Sequence, residues 1–432
     1  MYATRVTFDV SRVRAAYPAL ADGNAYLDGA AGTQAPEPVI KAIAGAYLAG
    51  IGNVHGAFAA SARSGAIVAA ARAAVADLVG GDPEGVIFGP SMTALTYRMA
   101  AVLSRRWAPG DSIVVSRLDH DADVRPWVQA ADRAHAVVRW ADVDPATGEL
   151  SVDQYRHLVD SRTRLVAVTA ASNILGTRPD VAAIAEIAHR AGAVVYVDGV
   201  HATPHGPVSV TDLGADFYAT SAYKWGGPHV AAVIASPDTL EPLRPDKLVP
   251  SPDEVPDRFE LGTLPFADLA GVAAAVDHLA GLGSSSSRTD VRGGPGGAPP
   301  GQHAPDMIAR DRAHSSRRSK LLASMAEVES YELGLFSRML DGLAAMSHVT
   351  LYGKAARRTP TAYFTVSGRS PSAVAEALAA RGVNVWNGHN YAYELVKSLG
   401  LLSSGGAVRA GLVHYNDDSD VERLLSAVAD LA

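Results

Sequence analysis

The chain has 432 residues, a formal net charge of −7 and no cysteine. This length suits a large domain joined to a smaller one. The lack of cysteine excludes disulfides, thiolate metal ligands and a cysteine nucleophile, and the acidic balance excludes a basic field for nucleic acid. No apolar run is long enough to span a bilayer and residues 1–20 contain no secretory signal, so we expect a cytoplasmic protein with neither a membrane partner nor a metal site.

Strand-like and helix-like segments alternate between about residues 80 and 236. Helical patterns such as Val181–Ala191 separate short, β-branched segments that are apolar on both faces. This alternation predicts an α/β domain whose mainly parallel central sheet is covered by helices on both faces, with ligands at the carboxyl ends of its strands. The predicted strands are Val86–Phe88, Ser112–Val115, Leu165–Thr169, Val194–Val197, Phe217–Thr220 and Val230–Ala235.

A change of composition follows the predicted sheet. Residues 283–320 are rich in serine, glycine and proline and contain no aromatic residue, so they cannot bury enough apolar surface to offset their chain entropy. We interpret them as a mobile insertion within the chain. The predicted units are an N-terminal segment at 1–25 that packs with the small domain, a large domain at 26–282, the insertion at 283–320, and a small α+β domain at 321–432. The small domain is predicted from helical Ser324–Leu343, strand-like Thr361–Val366, helical Pro371–Ala380, strand-like Val408–Val413 and helical Asp418–Leu431.

Lys224 is the first candidate for chemistry. It follows the end of a predicted strand and precedes a glycine-rich turn, between Tyr223 and Trp225. Removal from water would favour the neutral amine that Schiff-base chemistry requires. Taken alone, a lysine is more often a surface residue.

Asp198 ends the apolar run 193–197. A carboxylate at the end of a buried strand needs a partner, and a pyridinium nitrogen would be one, because the aspartate keeps the ring protonated. A helix N-cap is the alternative interpretation. His201, three residues further on, can reach the same place.

The run Val195–His201, followed by Ser221–Lys224, resembles the class V aminotransferases, which are pyridoxal-phosphate (PLP) enzymes of fold type I. The branch it most resembles is that of cysteine desulfurases and selenocysteine lyases. The similarity runs from Tyr26 to about residue 280 and resumes near 325. The resemblance implies an amino-acid substrate, a PLP cofactor in a Schiff base with Lys224, and Lys224, Asp198 and His120 as the catalytic residues.

Further cofactor contacts are implied position by position. Phe88–Thr93 is similar to the turn whose backbone N–H groups hold the cofactor phosphate at a helix N-terminus, which assigns Met92 and Thr93 to that role. A plain N-cap hydroxyl is compatible with this reading of Thr93. The resemblance places His120 on the pyridine ring and Asn173 near the ring hydroxyl. It also places the Ser221 hydroxyl on the phosphate and His201 beside the cofactor.

The substrate side is implied in the same way. Ala31 belongs to a segment similar to the one lining the substrate mouth, and His55 to an entry loop. Asn173 and Arg409 would face the substrate carboxylate, which a planar guanidinium binds with two hydrogen bonds. Thr263 would reach the phosphate of a neighbouring subunit, so the resemblance implies a homodimer with shared active sites.

The sequence departs from the desulfurase pattern at the sulfur-accepting cysteine, where Tyr391 stands. Tyr223 replaces a histidine that commonly precedes the lysine, and Ala94 a frequent acidic residue. Without cysteine no enzyme persulfide can form. The predicted activity is therefore a carbon–sulfur lyase-like β-elimination or a transamination. The alternatives are an epimerase, a sugar aminotransferase, and a non-catalytic binding or regulatory protein of the same fold.

Overall fold

A computed structural model describes residues 8–283 and 306–432. Thirteen strands and fourteen α-helices lie within these residues, numbered here in chain order. The strands are β1 Ala25–Tyr26, β2 Val86–Gly89, β3 Ser112–Ser116, β4 Val137–Ala141, β5 Thr163–Thr169, β6 Val194–Asp198, β7 Phe217–Ser221, β8 Ala231–Ile234, β9 Val349–Tyr352, β10 Thr361–Val366, β11 Val383–Asn384, β12 Trp386–Gly388 and β13 Ala407–Gly411. The helices are α1 Val10–Arg14, α2 Glu37–Ala49, α3 Ala59–Val79, α4 Met92–Leu103, α5 Arg125–Ala134, α6 Tyr155–Leu158, α7 Val181–Arg190, α8 Val210–Leu213, α9 Pro237–Leu240, α10 Phe266–Ala280, α11 Asp306–Ala344, α12 Pro371–Ala379, α13 Tyr393–Ser398 and α14 Asp418–Ala429.

The central sheet has seven strands in the order β2-β8-β7-β6-β5-β3-β4. Only β8 runs against its neighbours, so the prediction of a mainly parallel sheet is confirmed. Alternate residues of one strand enter different cores: Val114 packs on one face, and Ile113 and Val115 pack on the other. Helices therefore cover both faces, as the apolar strands indicated.

The small domain is built on an antiparallel sheet in the order β12-β13-β10-β9. Phe364 of β10 and Val408 of β13 share a core with Val374 of α12 and Leu424 of α14. The N-terminal segment docks here, since β1 pairs in parallel with β11 and Arg14 forms an ion pair with Asp420. Strand β1 is thus paired with a strand of the small domain.

Helix α11 begins at Asp306, inside the predicted insertion, which therefore ends earlier than its composition indicated. Arg317 pairs with Asp77 (Nε–Oδ2 2.6 Å), and Arg318 donates to the carbonyl oxygens of Asp77 and Leu78 in the last turn of α3. These polar contacts attach this part of α11 to the end of α3, and a composition argument does not detect them. The rest of the predicted insertion, 284–305, lies outside the described residues. None of the described helices has an apolar stretch long enough to cross a membrane.

Candidate active site

Three neighbouring strands of the central sheet end at one edge and bring polar residues together there. Asp198 is the last residue of β6, Ser221 the last of β7, and Asn173 follows β5 by four positions. Asp198 pairs with Ala219 across β6 and β7, so Ser221 and the turn after it begin beside Asp198. Lys224 ends that short turn. This edge is where open α/β sheets bind ligands.

The Lys224 amine is buried and donates to the carbonyl oxygen of Ala30 (2.6 Å). Burial and, to a smaller extent, the charge of Arg409 lower the pKa of Lys224 to about 7, against the opposing charge of Asp198. A neutral, nucleophilic amine therefore exists near neutral pH. Ala31, which is predicted to line the substrate mouth, is the residue after Ala30 and therefore lies close to the Lys224 amine.

The Asp198 carboxylate is also buried, and its Oδ1 accepts the Val200 N–H (2.9 Å). Burial raises the pKa of Asp198 to about 6, against the opposing effects of that hydrogen bond and of Lys224. A cationic ring nitrogen beside it would hold it ionised. His201 instead directs its Nε2 to the Thr361 hydroxyl of the small domain (3.0 Å), so its observed polar contact is with that domain.

His120 follows β3 and is held neutral. Its Nδ1 accepts the Ala122 N–H (3.0 Å), which leaves the ring proton on Nε2. Burial lowers the pKa of His120 to about 3, with further lowering by Lys224 and Arg409. Its ring stacks on Tyr391, with 5.4 Å between centroids and 29° between planes.

Helix α4 begins three residues after the end of β2. Ser91 is its N-cap, with Oγ accepting the Ala94 N–H (3.1 Å), so the reading of Thr93 as the N-cap hydroxyl is wrong. Thr93 is exposed at the second helical position, and Met92 is buried at the first. The first-turn N–H groups of a helix suit an anion such as a phosphate.

Arg409 lies in the middle of β13 and is buried, although it belongs to the other domain. Its Nη1 donates to the carbonyl oxygen of Asn173 (3.0 Å), and burial lowers its pKa to about 10. The Asn173 side-chain nitrogen donates to the Asn390 carbonyl (2.8 Å), while its buried Oδ1 has no hydrogen-bond partner among the described residues. Such an acceptor beside a buried guanidinium suits a ligand that carries both a hydroxyl and a carboxylate.

The aminotransferase class-V family pattern matches residues 25–292 and 320–424. This chain belongs to the class V aminotransferase family. It is 33% identical over 433 residues to a probable cysteine desulfurase of Pseudomonas aeruginosa, covering 96% of each chain. It is 31% identical to the aminotransferase-like protein FGM3 of Gibberella zeae, with 98% of each covered. The cysteine desulfurase CsdA of Escherichia coli has a similar structure, with a TM-score of 0.81, 28% identity and 98% coverage of each chain.

As a class V enzyme this chain uses PLP. The residues present fit that cofactor. The Lys224 amine has the lowered pKa that a carbonyl-binding lysine needs, and Asp198 is a buried carboxylate that forms no ion pair within the described residues. The start of α4 and the Asn173 amide oxygen would hold the phosphate and the ring hydroxyl, respectively. The unmatched stretch of the family pattern, 293–319, falls within the insertion predicted from composition.

Two implicated residues of this class V enzyme line a groove that Lys224 does not line. His55 and Thr263 are exposed and line an open groove of ≈ 1880 Å³. Asn53 and Gly262 line it with them, but none of the side chains placed around Lys224 does. The contact of His55 with the substrate and the contact of Thr263 with the phosphate of a neighbouring subunit stay predictions.

Sequence reasoning missed two buried acids beside His120. Asp119 accepts a hydrogen bond from the Ser116 hydroxyl, and Asp123 accepts one from the Trp127 indole (3.0 Å). Burial raises the pKa of Asp119 to about 8 and raises that of Asp123 as well. Asp119, Asp121 and Asp123 surround His120 in the sequence and could have indicated an acidic cluster. The sequence does not show, however, that the side chains of Asp119 and Asp123 are buried.

Proposed function

We propose that this class V enzyme is a carbon–sulfur lyase-like β-eliminase of S-substituted cysteines, with transamination as the second candidate. The observation that carries the proposal is Tyr391 at the place of the sulfur-accepting cysteine, in a chain without cysteine. A phenol cannot take up sulfur as a persulfide. Any sulfur cut from carbon must then leave with its own substituent or as sulfide.

Each step is assigned to a residue of this chain. Arg409 binds the substrate carboxylate with two charge-assisted hydrogen bonds and fixes the substrate orientation. Lys224, neutral near pH 7, takes the α-proton as general base. When bound, PLP supplies the electron sink for the pair left on the α-carbon, and Asp198 keeps the ring nitrogen protonated.

The neutral His120 retains its Nε2 proton. It would therefore pack against a bound cofactor ring without adding a positive charge. The substrate β-carbon loses its thiolate as the α-proton moves to Lys224. With the water consumed on hydrolysis, one S-substituted cysteine gives pyruvate, ammonia and one thiol.

A homodimer with shared sites is part of the proposal. Its support is that His55 and Thr263 line an open groove that their own Lys224 does not line. Exposed Leu248 lines the same groove, and Leu261, two residues before Thr263, is also exposed, so apolar surface is left in water. A second copy would cover that surface and receive Thr263 at its own phosphate site.

The test is incubation of the PLP-loaded enzyme with S-substituted cysteines, measuring pyruvate, ammonia and free thiol. Elimination gives the three products in equal amounts, without a lag and without an acceptor thiol. Conversion of the cofactor to pyridoxamine phosphate with no pyruvate would reject the lyase assignment in favour of transamination. An Arg409→Ala variant that keeps full substrate affinity would contradict the carboxylate assignment.

A further inference from the structure

Four aromatic rings crowd into one short segment of the small domain. Trp386, His389, Tyr391 and Tyr393 lie between β12 and the start of α13, and we call them the aromatic mouth. Ring contacts join three of them: His389 packs edge-on to Tyr391 (6.0 Å between centroids) and to Tyr393 (6.3 Å). Trp386, Tyr391 and Tyr393 are nevertheless 52%, 68% and 43% exposed. Exposed aromatic surface in such a cluster is typical of a ligand contact.

One end of the aromatic mouth lies beside Arg409, and the other end lies beside His120. Trp386 stands directly opposite Arg409 in the antiparallel pair β12–β13, and residues directly opposite each other share one face of the sheet. At the other end, Tyr391 stacks on His120. A substrate held by Arg409 and turned toward Lys224 therefore has its side chain beside this segment.

The backbone that presents Tyr391 is strained and tied down. Asn390 and Tyr391 have backbone φ angles of 46° and 60°, in the left-handed region that residues other than glycine rarely adopt. Asn173 donates to the Asn390 carbonyl, and the Asp121 N–H donates to the Tyr391 carbonyl (both 2.8 Å). The Tyr391 N–H in turn donates to Nδ1 of His389 (3.1 Å). Strain that is fixed by site residues indicates a functional placement of the ring.

We propose that Tyr391 is a specificity-determining residue that selects S-substituted cysteines whose sulfur carries a planar aromatic group, as in S-benzyl-cysteine. The ring of such a substrate would stack within the aromatic mouth, while Arg409 holds its carboxylate. A saturated group of the same size fills space but lacks the flat face that stacking requires. This inference rests on the proposed β-elimination and names its substrate class.

The test compares S-benzyl-L-cysteine with S-cyclohexylmethyl-L-cysteine and S-ethyl-L-cysteine. The PLP-loaded wild type should show the highest kcat/KM with the benzyl substrate. Tyr391→Ala should lower that value about tenfold, mainly through KM, with little change for the ethyl substrate, and Tyr391→Phe should keep the preference. The matched control is Tyr47→Ala, an equally exposed tyrosine on α2, which should behave as wild type.

A second measurement separates binding from turnover. The Lys224→Ala variant loaded with PLP should show a shift of the cofactor absorbance with each amino acid, and the dissociation constant should be lowest for the benzyl substrate. Adding Tyr391→Ala should remove that advantage while the melting temperature stays unchanged. Equal effects on all three substrates, or none, would overturn the selectivity but leave the elimination standing. If no amino acid shifts the absorbance or is turned over, both proposals fail.

Discussion

Replacing Lys224 by methionine should stabilise the cofactor-free protein, and the gain should shrink as pH rises. The structure lowers the pKa of Lys224 from 10.5 to about 7 by burial. Between these two values the unfolded chain binds more protons than the folded one, so the wild-type free energy of unfolding increases with pH in this window. Methionine fills nearly the same space and carries no charge to bury.

The magnitude follows from the shift. Folding the wild type at pH 7 costs about 4 kcal/mol in lost protonation of Lys224, and at pH 9 about 2 kcal/mol. Losing the hydrogen bond from the Lys224 amine to the Ala30 carbonyl costs the variant about 1 kcal/mol at either pH. The variant should therefore be more stable than wild type by about 3 kcal/mol at pH 7 and about 1 kcal/mol at pH 9.

Urea unfolding at pH 7, 8 and 9 measures these differences. Protein concentration is fixed and PLP is absent, because subunit association and ligand binding both change apparent stability. The control is Lys41→Met on the exposed face of α2, whose effect should not vary across this range. A Lys224→Met difference that stays constant from pH 7 to pH 9 would refute a buried lysine with a lowered pKa.

The remaining predictions concern the cofactor, the second subunit, the insertion and the substrate carboxylate. Lys224→Ala should fold but lose borohydride trapping of PLP, and a wild-type peptide map with the label on another lysine would contradict the assignment. Mixed dimers of Lys224→Ala and Thr263→Ala chains should recover part of the activity that each homodimer lacks, whereas a monomer in light scattering would argue against shared sites. Replacing 284–305 by a short Gly/Ser linker should leave the melting temperature nearly unchanged, while Arg318→Ala should cost about 1–3 kcal/mol because carbonyl groups at the end of α3 lose their donor. Arg409→Ala should weaken substrate binding by about 2–5 kcal/mol, measured as the change in kcat/KM, and a change confined to kcat would speak against carboxylate binding.

The sheet could be predicted where strands are buried on both faces, since apolar β-branched runs such as 194–197 allow few other structures. Strand β4 was missed because it is an edge strand, where Arg139 interrupts the apolar pattern. The reversed direction of β8 also escaped prediction, because strand composition carries no sign of orientation.

Local sequence order was enough to place Asp198 and Lys224 together, because neighbouring parallel strands end at one edge. It was not enough for Arg409, which reaches the site from another domain and was found only by resemblance. The choice of Ser91 over Thr93 as N-cap depended on backbone angles that both residue types permit. Hydrogen bonds such as those of Arg318 cannot be predicted from the hydropathy pattern of the sequence.

The pairing of β1 with β11 has a consequence for biosynthesis. Ala25 hydrogen-bonds to the Gly382 carbonyl, and Arg14 bonds to the Tyr415 carbonyl and to Asp420. Residues 14–25 leave the ribosome before residues 382–420, so they cannot dock until those later residues have been made. During translation the large domain is expected to form around its sheet while the N-terminal segment remains unpaired, so synthesis of the small domain, rather than formation of the sheet, governs when the N-terminal segment docks.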